Sequence, residues 1–403
     1  MIRILVVCQH YWPESFQIVD ICEELVNRGH EVTVLAGLPN YPSGVIPEDY
    51  RGGKNREQVH NGVRIIRASE IARGKGTVRL ALNYYSFSNS AVRIARHLTE
   101  EYDIVFAYQL SPVMMARPAA ELKQLKGIPM LLYCCDLWPE SMKVMLGDKL
   151  PSVIRHYGKV SKRIYDSADL IAVQSPSFKD YFREVHGIKK EKLRYIPQFS
   201  TDGANGVIPT AEHEDVVFLT AGNIGRAQDM PVVLQAIDKM SSKTGFQYHI
   251  VGDGSCLEES RAFVESHGLD DRVVFHGRVP VEEMQSWYSK ADACIIALNG
   301  DTWVGTTLPA RLQGYMAAGK TVFGAINGGA QKVIEMSGCG GAVPAGDIEG
   351  LARLLDGYLD DPSLFAHCGK AGRNYFETNF SKTSYVDTIE QTFVELIGKD
   401  INV

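Results

Sequence analysis

Short runs of β-branched and apolar residues alternate with longer helical patterns along almost the whole chain. This alternation is typical of mainly parallel sheets whose two faces are covered by helices. Because 403 residues exceed what one ordinary hydrophobic core accommodates, the pattern predicts an α/β protein with two domains. The strands predicted in the first half are 2–8, 31–36, 103–107, 129–135, 169–173 and 193–196.

The alternation stops at residues 197–215, a stretch rich in Gly, Pro, Ser and acidic residues, and then restarts. Such a composition indicates a connector between domains. We therefore predict a first domain at 1–197, a second at 198–380, and a closing helix at 381–403 that could return to the first domain. The strands predicted in the second domain are 216–221, 246–251, 272–276, 293–298 and 321–325.

The composition narrows the possible functions. A formal net charge of -6 argues against a general nucleic-acid-binding protein, because such proteins neutralise phosphates with Lys and Arg. The eight cysteines form no CxxC pair and lie mostly in apolar segments, which indicates reduced thiols in a cytoplasmic protein. The first residues predict a strand and not a signal peptide, and no apolar stretch approaches the roughly 18 residues of a membrane span.

Two segments in the second half have the residue types of an anion site. In parallel sheets, ligands bind at the carboxyl ends of the strands. Residues 222–226, GNIGR, follow the first strand of the second domain; glycine admits a phosphate close to the backbone, and Arg adds a permanent charge. Arg311 would lie in the first turn of a helix that Pro309 starts. The alternatives are a plain glycine-rich turn and a solvent-facing Arg on an amphipathic helix.

The glycine pattern differs from that of dinucleotide-binding proteins, which carry GxGxxG after the first strand. Residues 9–14 contain no glycine, and residues 251–255 lack the third glycine at the required spacing. This counts against an NAD-dependent oxidoreductase. The histidines show no metal-ligand spacing and no apolar-flanked DxD motif is present, so we predict neither a metal ion nor another cofactor.

Six motifs occur in the order seen in family 4 glycosyltransferases of the GT-B fold, in which two Rossmann-like domains face each other across a cleft. Their combination resembles most the bacterial branch that builds O-antigen, capsular and exopolysaccharide repeat units. The resemblance spans nearly the whole chain. The motifs are GHEVTV (29–34), PNYPSG (39–44), DLWPES (136–141), AGNIGRAQ (221–228), VGDG (251–254) and YMAAGK (315–320).

The resemblance implies that the second domain binds a nucleotide sugar and that the first receives the acceptor. Arg226 and Arg311 would stabilise the leaving diphosphate. Separately from the resemblance, Asp136 is a third candidate catalytic residue. Asp253 would lie near the nucleoside, and the backbone at 276–279 would meet the base. The expected donor-binding residues are Gly222, Asn223, Gly225, Asp253, His276, Gly277, Arg278, Thr306, Thr307, Leu308 and Pro309.

The chain departs from the family pattern at four positions. Gln228 stands where the family has a second basic residue after Arg226. Thr306 and Gly314 stand where the family often has two glutamates, one for the donor sugar and one for the ribose hydroxyls. Cys135 stands where a His often contacts the sugar near its C6 oxygen. Neither Thr nor Gly can act as a carboxylate, so sugar and ribose recognition would rest on other groups.

Three residues are candidates on the acceptor side. His10 and Trp12 follow the first strand, where the alternative to ligand contact is simple packing. Glu140 lies four residues after Asp136, but Pro139 places a helix start between them. Asp136 would then serve as a helix N-cap or as a site residue.

Residues 71–99 contain no acidic side chain and five basic ones, interleaved with aromatic residues. This composition favours a patch that binds the anionic inner leaflet and a polyprenyl diphosphate. The alternative is a core-packed helix with a basic outer face, and the two can hold together.

These observations predict a metal-independent hexosyltransferase located in the cytoplasm on the inner face of the plasma membrane, and the resemblance implies that it retains the anomeric configuration. It would move a sugar, often N-acetylated in this branch, from a UDP-sugar to a polyprenyl-diphosphate-linked saccharide. Two alternatives remain: a non-catalytic subunit that binds sugar nucleotides, motivated by Thr306 and Gly314, and a nucleotide-sugar epimerase or dehydrogenase.

Overall fold

An eight-stranded sheet forms the centre of the first structural unit in the computed structural model, which describes residues 1–146, 150–200, 214–300 and 303–398. The strand order is β3-β4-β2-β1-β5-β6-β7-β8, and every neighbouring pair is parallel except β3 and β4. The strands are β1 (Arg3–Val7), β2 (Glu31–Ala36), β3 (Glu57–His60), β4 (Val63–Arg67), β5 (Ile104–Gln109), β6 (Met130–Cys134), β7 (Leu170–Val173) and β8 (Leu193–Tyr195).

Helices connect these strands because parallel neighbours require crossover connections. The central strands β5 and β6 are buried along their whole length, as expected when both faces of a parallel sheet are covered. The helices are α1 (Gln17–Asn27), α2 (Thr77–His97), α3 (Arg117–Lys126), α4 (Glu140–Leu146), α5 (Pro151–Ser167) and α6 (Pro176–Glu184).

The second unit contains a six-stranded parallel sheet in the order β11-β10-β9-β12-β13-β14. Its strands are β9 (Val216–Ala221), β10 (Phe246–Val251), β11 (Val273–Gly277), β12 (Ala293–Ala297), β13 (Thr321–Ala325) and β14 (Gly340–Val343). The helices that follow are α7 (Met230–Lys239), α8 (Leu257–Ser266), α9 (Met284–Lys290), α10 (Ala310–Ala317), α11 (Gly328–Ser337), α12 (Ile348–Asp360), α13 (Cys368–Asn379) and α14 (Lys382–Ile397).

Each of the two units is assembled from separate stretches of the chain. The first contains Met1–Gln174, Lys179–Ile196 and the chain from Val386 onward, and the second contains Ser175–Phe178 and Pro197–Tyr385. Most of the predicted connector, residues 201–213, lies outside the described residues.

The end of α14 packs within the first unit. Arg28 donates from Nη1 to Glu390 at 3.0 Å and to Asp387 at 2.5 Å. Phe393 is fully buried, and its ring lies edge-on to Phe106 with 5.4 Å between centroids. The final helix is therefore part of the core of the first unit.

Candidate active site

Two glycine-containing loops meet at the carboxyl ends of β9 and β10. Gly222 N donates to Val251 O at 2.8 Å, and Ile224 N donates to Asp253 O at 2.9 Å. A Cβ atom at Gly252 would overlap the carbonyl oxygen of Gly222, and one at Gly254 would overlap that of Ile224. Because only glycine permits backbone to lie on backbone here, the loops 222–225 and 252–254 form one continuous surface.

Helix α10 places Arg311 against this surface. The Nη2 atom of Arg311 donates to the carbonyl oxygen of Asn223 at 2.6 Å. One turn later, the hydroxyl of Tyr315 accepts from Ala221 N at 2.9 Å and lies 3.3 Å from Ala221 O. Pro309 has an extended conformation at the N-cap, so Arg311 lies in the first turn of α10, as the sequence predicted. The hydrogen bonds of Tyr315 hold the helix start at the end of β9.

Arg226 begins a short 3₁₀ turn on the same loop. Its side chain is exposed, and no other described residue forms an ion pair with it. The conformation of the loop depends on Gln228, whose Oε1 accepts from Gly225 N at 3.1 Å and from Asn223 Nδ2 at 2.9 Å. Gln228 was not among the residues predicted from the sequence. A Gln three residues after a loop glycine is a signal that could have indicated it, because such a side chain can accept from backbone N–H groups.

A pocket of about 710 Å³ opens beside these loops, entirely within the second unit. Arg278 and Val279, which follow β11, form one side of it, and Met284 at the start of α9 adds an apolar contact. The carboxylate of Asp253 accepts from Gly254 N at 2.7 Å and thereby shapes its own turn. The other lining residues are Gly222, Asn223, Val251, Gly252, Asp253 and Gly254. The pocket therefore lies at the carboxyl ends of three adjacent strands, β9, β10 and β11. Backbone N–H groups, glycine residues and the cation of Arg278 line it.

The side chain of His276 belongs to an aromatic cluster, and the residues after it line the pocket. Its Nε2 atom lies 2.7 Å from Nδ1 of His249, and the two rings stack with centroids 5.0 Å apart. Trp287 packs on His276 at 4.2 Å. Burial, with a smaller contribution from the charge of Lys290, lowers the pKa of His276. Gly277 has a left-handed conformation and accepts from Gly252 N at 2.8 Å, so this cluster anchors the strand end that carries Arg278.

The segment Thr306 to Pro309 precedes α10 and contacts the start of α11. Thr306 Oγ1 donates to Trp303 O at 2.7 Å, and the Thr306 carbonyl accepts from Ser175 Oγ at 3.0 Å. A Cβ atom at Gly328 would lie 2.6 Å from the Cβ of Thr306. Thr307 is half-buried, and Leu308 packs on the apolar core. These four residues do not belong to the pocket wall described above.

Asp136 follows β6 in the first unit, where a hydrogen-bonded chain holds its carboxylate. Ser111 donates to Asp136 Oδ2 at 2.5 Å, and Trp138 Nε1 donates to Ser111 Oγ at 2.8 Å. Gln109 Nε2 donates to the Asp136 carbonyl at 3.0 Å. The carboxylate is only partly buried and retains exposed surface. Ser111 lies in the loop after β5, 25 residues before Asp136. Its hydrogen bond to Asp136 could therefore not be predicted from the spacing of the two residues in the sequence.

His10 and Trp12 have structural partners after β1. His10 Nδ1 lies 2.8 Å from Glu14 Oε2, and both side chains are only 4% exposed. Glu14 Oε1 accepts from the backbone N–H groups of Asn40 and Tyr41 at 2.7 and 2.5 Å. Trp12 stacks on His60 with 4.1 Å between ring centroids. These contacts favour the packing alternative for Trp12, whereas Glu14, in contact with His10, fixes the loop at Asn40.

A second buried carboxylate, Glu70, lies beside this pair and was not predicted from the sequence. Glu70 Oε1 accepts from Asn40 Nδ2 at 2.7 Å, and Oε2 accepts from Gln9 Nε2 at 2.9 Å. Gln9 Nε2 also donates to Asn83 Oδ1 at 2.8 Å, on helix α2. Burial raises the pKa of Glu70 well above its ordinary value, and the negative charge of Glu14 acts in the same direction. This network joins the end of β1 to α2.

Glu140 begins α4 and is largely buried. Its Oε1 atom accepts from Lys143 at 2.7 Å, one helical turn later. Its charge also contributes to the raised pKa of Tyr181, whose main cause is burial. Within the described ranges, no group of three His, Cys, Asp or Glu side chains could hold a metal ion. None of the helices in those ranges is long and apolar enough to cross a membrane.

Comparisons with known proteins connect this geometry to a family. The model of the glycosyl transferase 4-like domain matches residues 16–198, and that of glycosyl transferases group 1 matches residues 207–375. A 2-deoxystreptamine N-acetyl-D-glucosaminyltransferase of Streptomyces fradiae is 29% identical over 398 residues, which covers 88% of this chain and 86% of that relative. The amylovoran biosynthesis glycosyltransferase AmsK of Erwinia amylovora is 26% identical over 150 residues, and the match spans only 36% of its length and 36% of this chain.

A solved structure shows the same fold. HepE of Anabaena, in complex with UDP and glucose, superposes with a TM-score of 0.65 at 15% identity, covering 98% of this chain and 100% of that one. The α/β class and the GT-B fold predicted from the sequence are thereby confirmed. The chain belongs to the GT-B glycosyltransferases, with a glycosyltransferase 4-like domain followed by a group 1 domain, and it is a glycosyltransferase enzyme.

Proposed function

We propose that the protein transfers a sugar from a UDP-sugar to a lipid-linked saccharide in the synthesis of a cell-surface polysaccharide, with retention of the anomeric configuration. The observation that supports this most directly is the position of Arg311, whose guanidinium lies on the loop 222–225 beside a pocket built from three strand ends. The UDP of HepE and the N-acetylglucosaminyl transfer named for the Streptomyces relative support a UDP-sugar donor.

The reaction breaks the bond between the anomeric carbon and the diphosphate oxygen, and the electron pair remains on that oxygen. The acceptor hydroxyl oxygen forms the new bond to the anomeric carbon, and its proton passes to the leaving diphosphate or to solvent water. Arg311 and Arg226, with the N–H groups of the two loops, would stabilise the negative charge on the leaving diphosphate. We propose that this protein charge suffices without a metal ion. Asp136, whose carboxylate accepts a hydrogen bond from Ser111, remains the third candidate catalytic residue.

A thermal-shift panel tests the donor. Selective binding raises apparent stability with the logarithm of ligand concentration over Kd, so UDP and UDP-sugars should shift the melting temperature more than ADP, GDP or NAD. A shift with NAD alone would favour the dehydrogenase alternative. Release of UDP from any UDP-sugar would exclude the non-catalytic alternative, whereas binding without turnover over a broad acceptor panel would support it.

Dependence on a metal is tested separately. We expect turnover to survive excess EDTA after the protein has been dialysed against chelator. If EDTA abolishes turnover and Mg²⁺ restores it, the proposed charge stabilisation by Arg226 and Arg311 alone is wrong.

The acceptor proposal is supported by one face of α2. Val78, Leu82 and Tyr85, spaced by one helical turn, are 74%, 46% and 37% exposed. Arg73, Lys75 and Arg79 supply charge at the start of this helix. Exposed apolar side chains with adjacent cations are typical of interfacial membrane binding. We therefore propose that this face binds the inner leaflet and brings the polyprenyl diphosphate to the enzyme.

Helix α5 extends the same basic surface, although its residues were not predicted from the sequence to bind a membrane. Tyr157 Oη on α5 lies 2.9 Å from Tyr85 Oη on α2, which links the two helices. Arg155, Lys159 and Arg163 repeat at four-residue spacing and are exposed. Each basic residue near an anionic leaflet contributes on the order of 1 kcal/mol.

Vesicle cosedimentation tests this surface. Changing Arg73, Lys75 and Arg79 together to Glu should weaken binding to anionic vesicles at low salt. A control with the same charge change reverses three basic residues of the first unit outside both helices: Arg183, Lys189 and Lys190. Equal loss in both variants, or no loss in either, would contradict a specific membrane face.

The Streptomyces relative is named for a small acceptor, so a soluble aminocyclitol belongs in the acceptor panel.

A further inference from the structure

A pocket in the first unit carries unbalanced positive charge and has no part in the proposed transfer reaction. It lies between the β3-β4 hairpin and the C-terminal half of α2, and its volume is about 610 Å³. We call it the hairpin pocket. Its polar lining includes Arg56, Arg64, Ser69, Arg93 and His97, and its apolar lining includes Ile66, Ile94 and Leu98.

The two carboxylates of the hairpin pocket have cationic partners. Arg64 Nη1 donates to Glu100 at 2.7 Å, and Arg64 Nη2 donates to Glu57 at 3.2 Å. The hydrogen bond from Arg64 lowers the pKa of the Glu100 carboxyl, and the positive charge of Lys126 acts in the same direction. Arg64 and Lys126 therefore balance Glu57 and Glu100.

Arg56 and Arg93 supply the remaining charge. The Nη1 atom of Arg56 is inaccessible to solvent and has no hydrogen-bond partner within the described residues. Across the pocket, no described residue accepts a hydrogen bond from the guanidinium of Arg93. Arg67 also lines the pocket, but its guanidinium has acceptors: Gln58 Oε1 at 3.2 Å and the carbonyls of Gly37 and Trp12 at 3.0 and 2.5 Å.

A buried guanidinium N–H without a partner is rare in folded proteins, because it has lost water without gaining an acceptor. Two uncompensated guanidinium charges match a phosphate monoester, which carries about 1.5 to 2 negative charges at neutral pH. The planar fork of Arg also fits phosphate oxygens in pairs. We propose that the hairpin pocket binds a phosphate monoester between Arg56 and Arg93, with the carbon portion of the ligand on Ile66, Ile94 and Leu98.

The phosphate group could belong to a water-soluble metabolite or to a lipid headgroup, since both present the same oxygens. Phenyl phosphate represents the first source, and vesicles of phosphatidylcholine with phosphatidic acid represent the second. Both are measured on full-length protein carrying Arg226→Ala and Arg311→Ala, which removes the cations of the candidate active site. Binding in this background does not depend on whether the transfer reaction has been assigned correctly.

Calorimetric titration with phenyl phosphate and vesicle cosedimentation then compare three proteins. Adding Arg56→Gln and Arg93→Gln should weaken binding of at least one probe tenfold or more. Arg183→Gln with Lys189→Gln is the matched control, because it removes two charges from exposed positions of the first unit that lie outside α2 and outside the hairpin pocket. It should leave both affinities unchanged. Dependence with phenyl phosphate identifies a soluble ligand, and dependence with vesicles alone identifies a lipid headgroup.

The proposal is wrong if neither probe binds the background protein, or if binding is the same with and without Arg56 and Arg93. It is also wrong if Arg183→Gln with Lys189→Gln weakens binding equally, because the effect is then one of net charge. Should the double variant fail to fold by circular dichroism, Arg93→Gln alone decides. Its side chain is exposed, and its loss should still reduce affinity several-fold.

Discussion

Arg311 has a fixed position and a permanent positive charge. It is therefore suited to stabilise the negative charge that develops on a leaving diphosphate. Its Nη2 atom already donates to Asn223 O, so little reorganisation is needed when a diphosphate binds beside it. We predict that Arg311→Ala lowers kcat by about 10² to 10³ and weakens UDP binding less. Arg311→Lys should recover part of the loss, because it restores the charge but not the planar fork.

Steady-state kinetics with a UDP-sugar and calorimetric titration with UDP measure the two effects of Arg311→Ala. Arg353→Ala, an exposed Arg on α12 of the same unit, is the control and should leave both unchanged. Near wild-type turnover in a folded Arg311→Ala protein would remove Arg311 from the catalytic machinery.

His186 gives the first unit a dependence on pH. It is buried among the rings of Tyr165, Tyr181 and Phe182, and burial lowers its pKa to about 4. The unfolded chain, with a His pKa near 6.5, binds more protons than the folded one between these values. Stability from neutral His186 is therefore present above pH 6.5 and is lost as the pH falls towards 4, by about 3 kcal/mol in total.

Urea unfolding at pH 7.5, 6.0 and 4.5 tests this. His186→Gln should show a smaller fall in midpoint than wild type over that range, and His156→Gln, at an exposed position, should follow wild type. If all three proteins lose stability in parallel, His186 does not control the acid response.

The sequence predicted individual site residues where local pattern determined their position. Arg311 follows a Pro that begins a helix, and Gly222 follows a strand, so neighbouring residues were enough. It missed Ser111, Asn40, Glu70 and Asn83 because each acts through a partner far away along the chain. The sequence shows that a polar residue lies within an apolar segment, but it does not show which distant residue is its hydrogen-bond partner.

At the level of the elements, the meeting of two loops depends on glycine. Gly252 has φ = 155°, and a Cβ there would overlap Gly222 O. Gly252→Ala should therefore displace the loop that carries Asn223 and greatly weaken UDP binding. The change should also lower the free energy of unfolding, because the new Cβ atom would meet a backbone carbonyl, which cannot move aside as the end of a flexible side chain can.

Gly268→Ala is the control for Gly252→Ala, because it introduces strain from a positive φ angle without a steric clash between the new Cβ atom and another part of the chain. Gly268 also has a left-handed conformation, with φ = 60°, but no atom of another part of the chain lies within 4 Å of the point that a Cβ would occupy. It should cost about 1 kcal/mol and leave UDP affinity unchanged. Thermal unfolding and UDP titration of both variants provide the comparison. Equal UDP affinity in Gly252→Ala and wild type would show that the loop tolerates the side chain.

Three strands were absent from the sequence prediction, and each has a physical reason. The hairpin of β3 and β4 follows a polar, glycine-rich stretch, and β3 alternates exposed and half-buried residues at the edge of the sheet. β14 begins with two glycines and has only four residues. The long buried strands were predicted because a continuous apolar run between helices has few other interpretations.

At the scale of the whole molecule, the first unit is completed by the end of the chain. We predict that Phe393→Ala destabilises this unit by about 3 to 5 kcal/mol, because the fully buried ring leaves a cavity beside Phe106. Gln391→Ala, at an exposed position on the same helix, should cost far less.

Limited proteolysis with mass spectrometry locates the effect of Phe393→Ala. New cleavage sites should appear within Met1–Gln174, while the peptides of the second unit stay protected. Cleavage confined to the second unit would contradict the assignment of α14 to the core of the first.

This arrangement has a consequence for biosynthesis. The strands of the first unit leave the ribosome early, but Phe393 and its neighbours on α14 follow only after the entire second unit has been translated. At typical rates of synthesis that interval is on the order of ten seconds or more. During it, apolar surface around Phe106 lacks its native cover, so the nascent chain presents a binding surface for chaperones that the finished protein conceals.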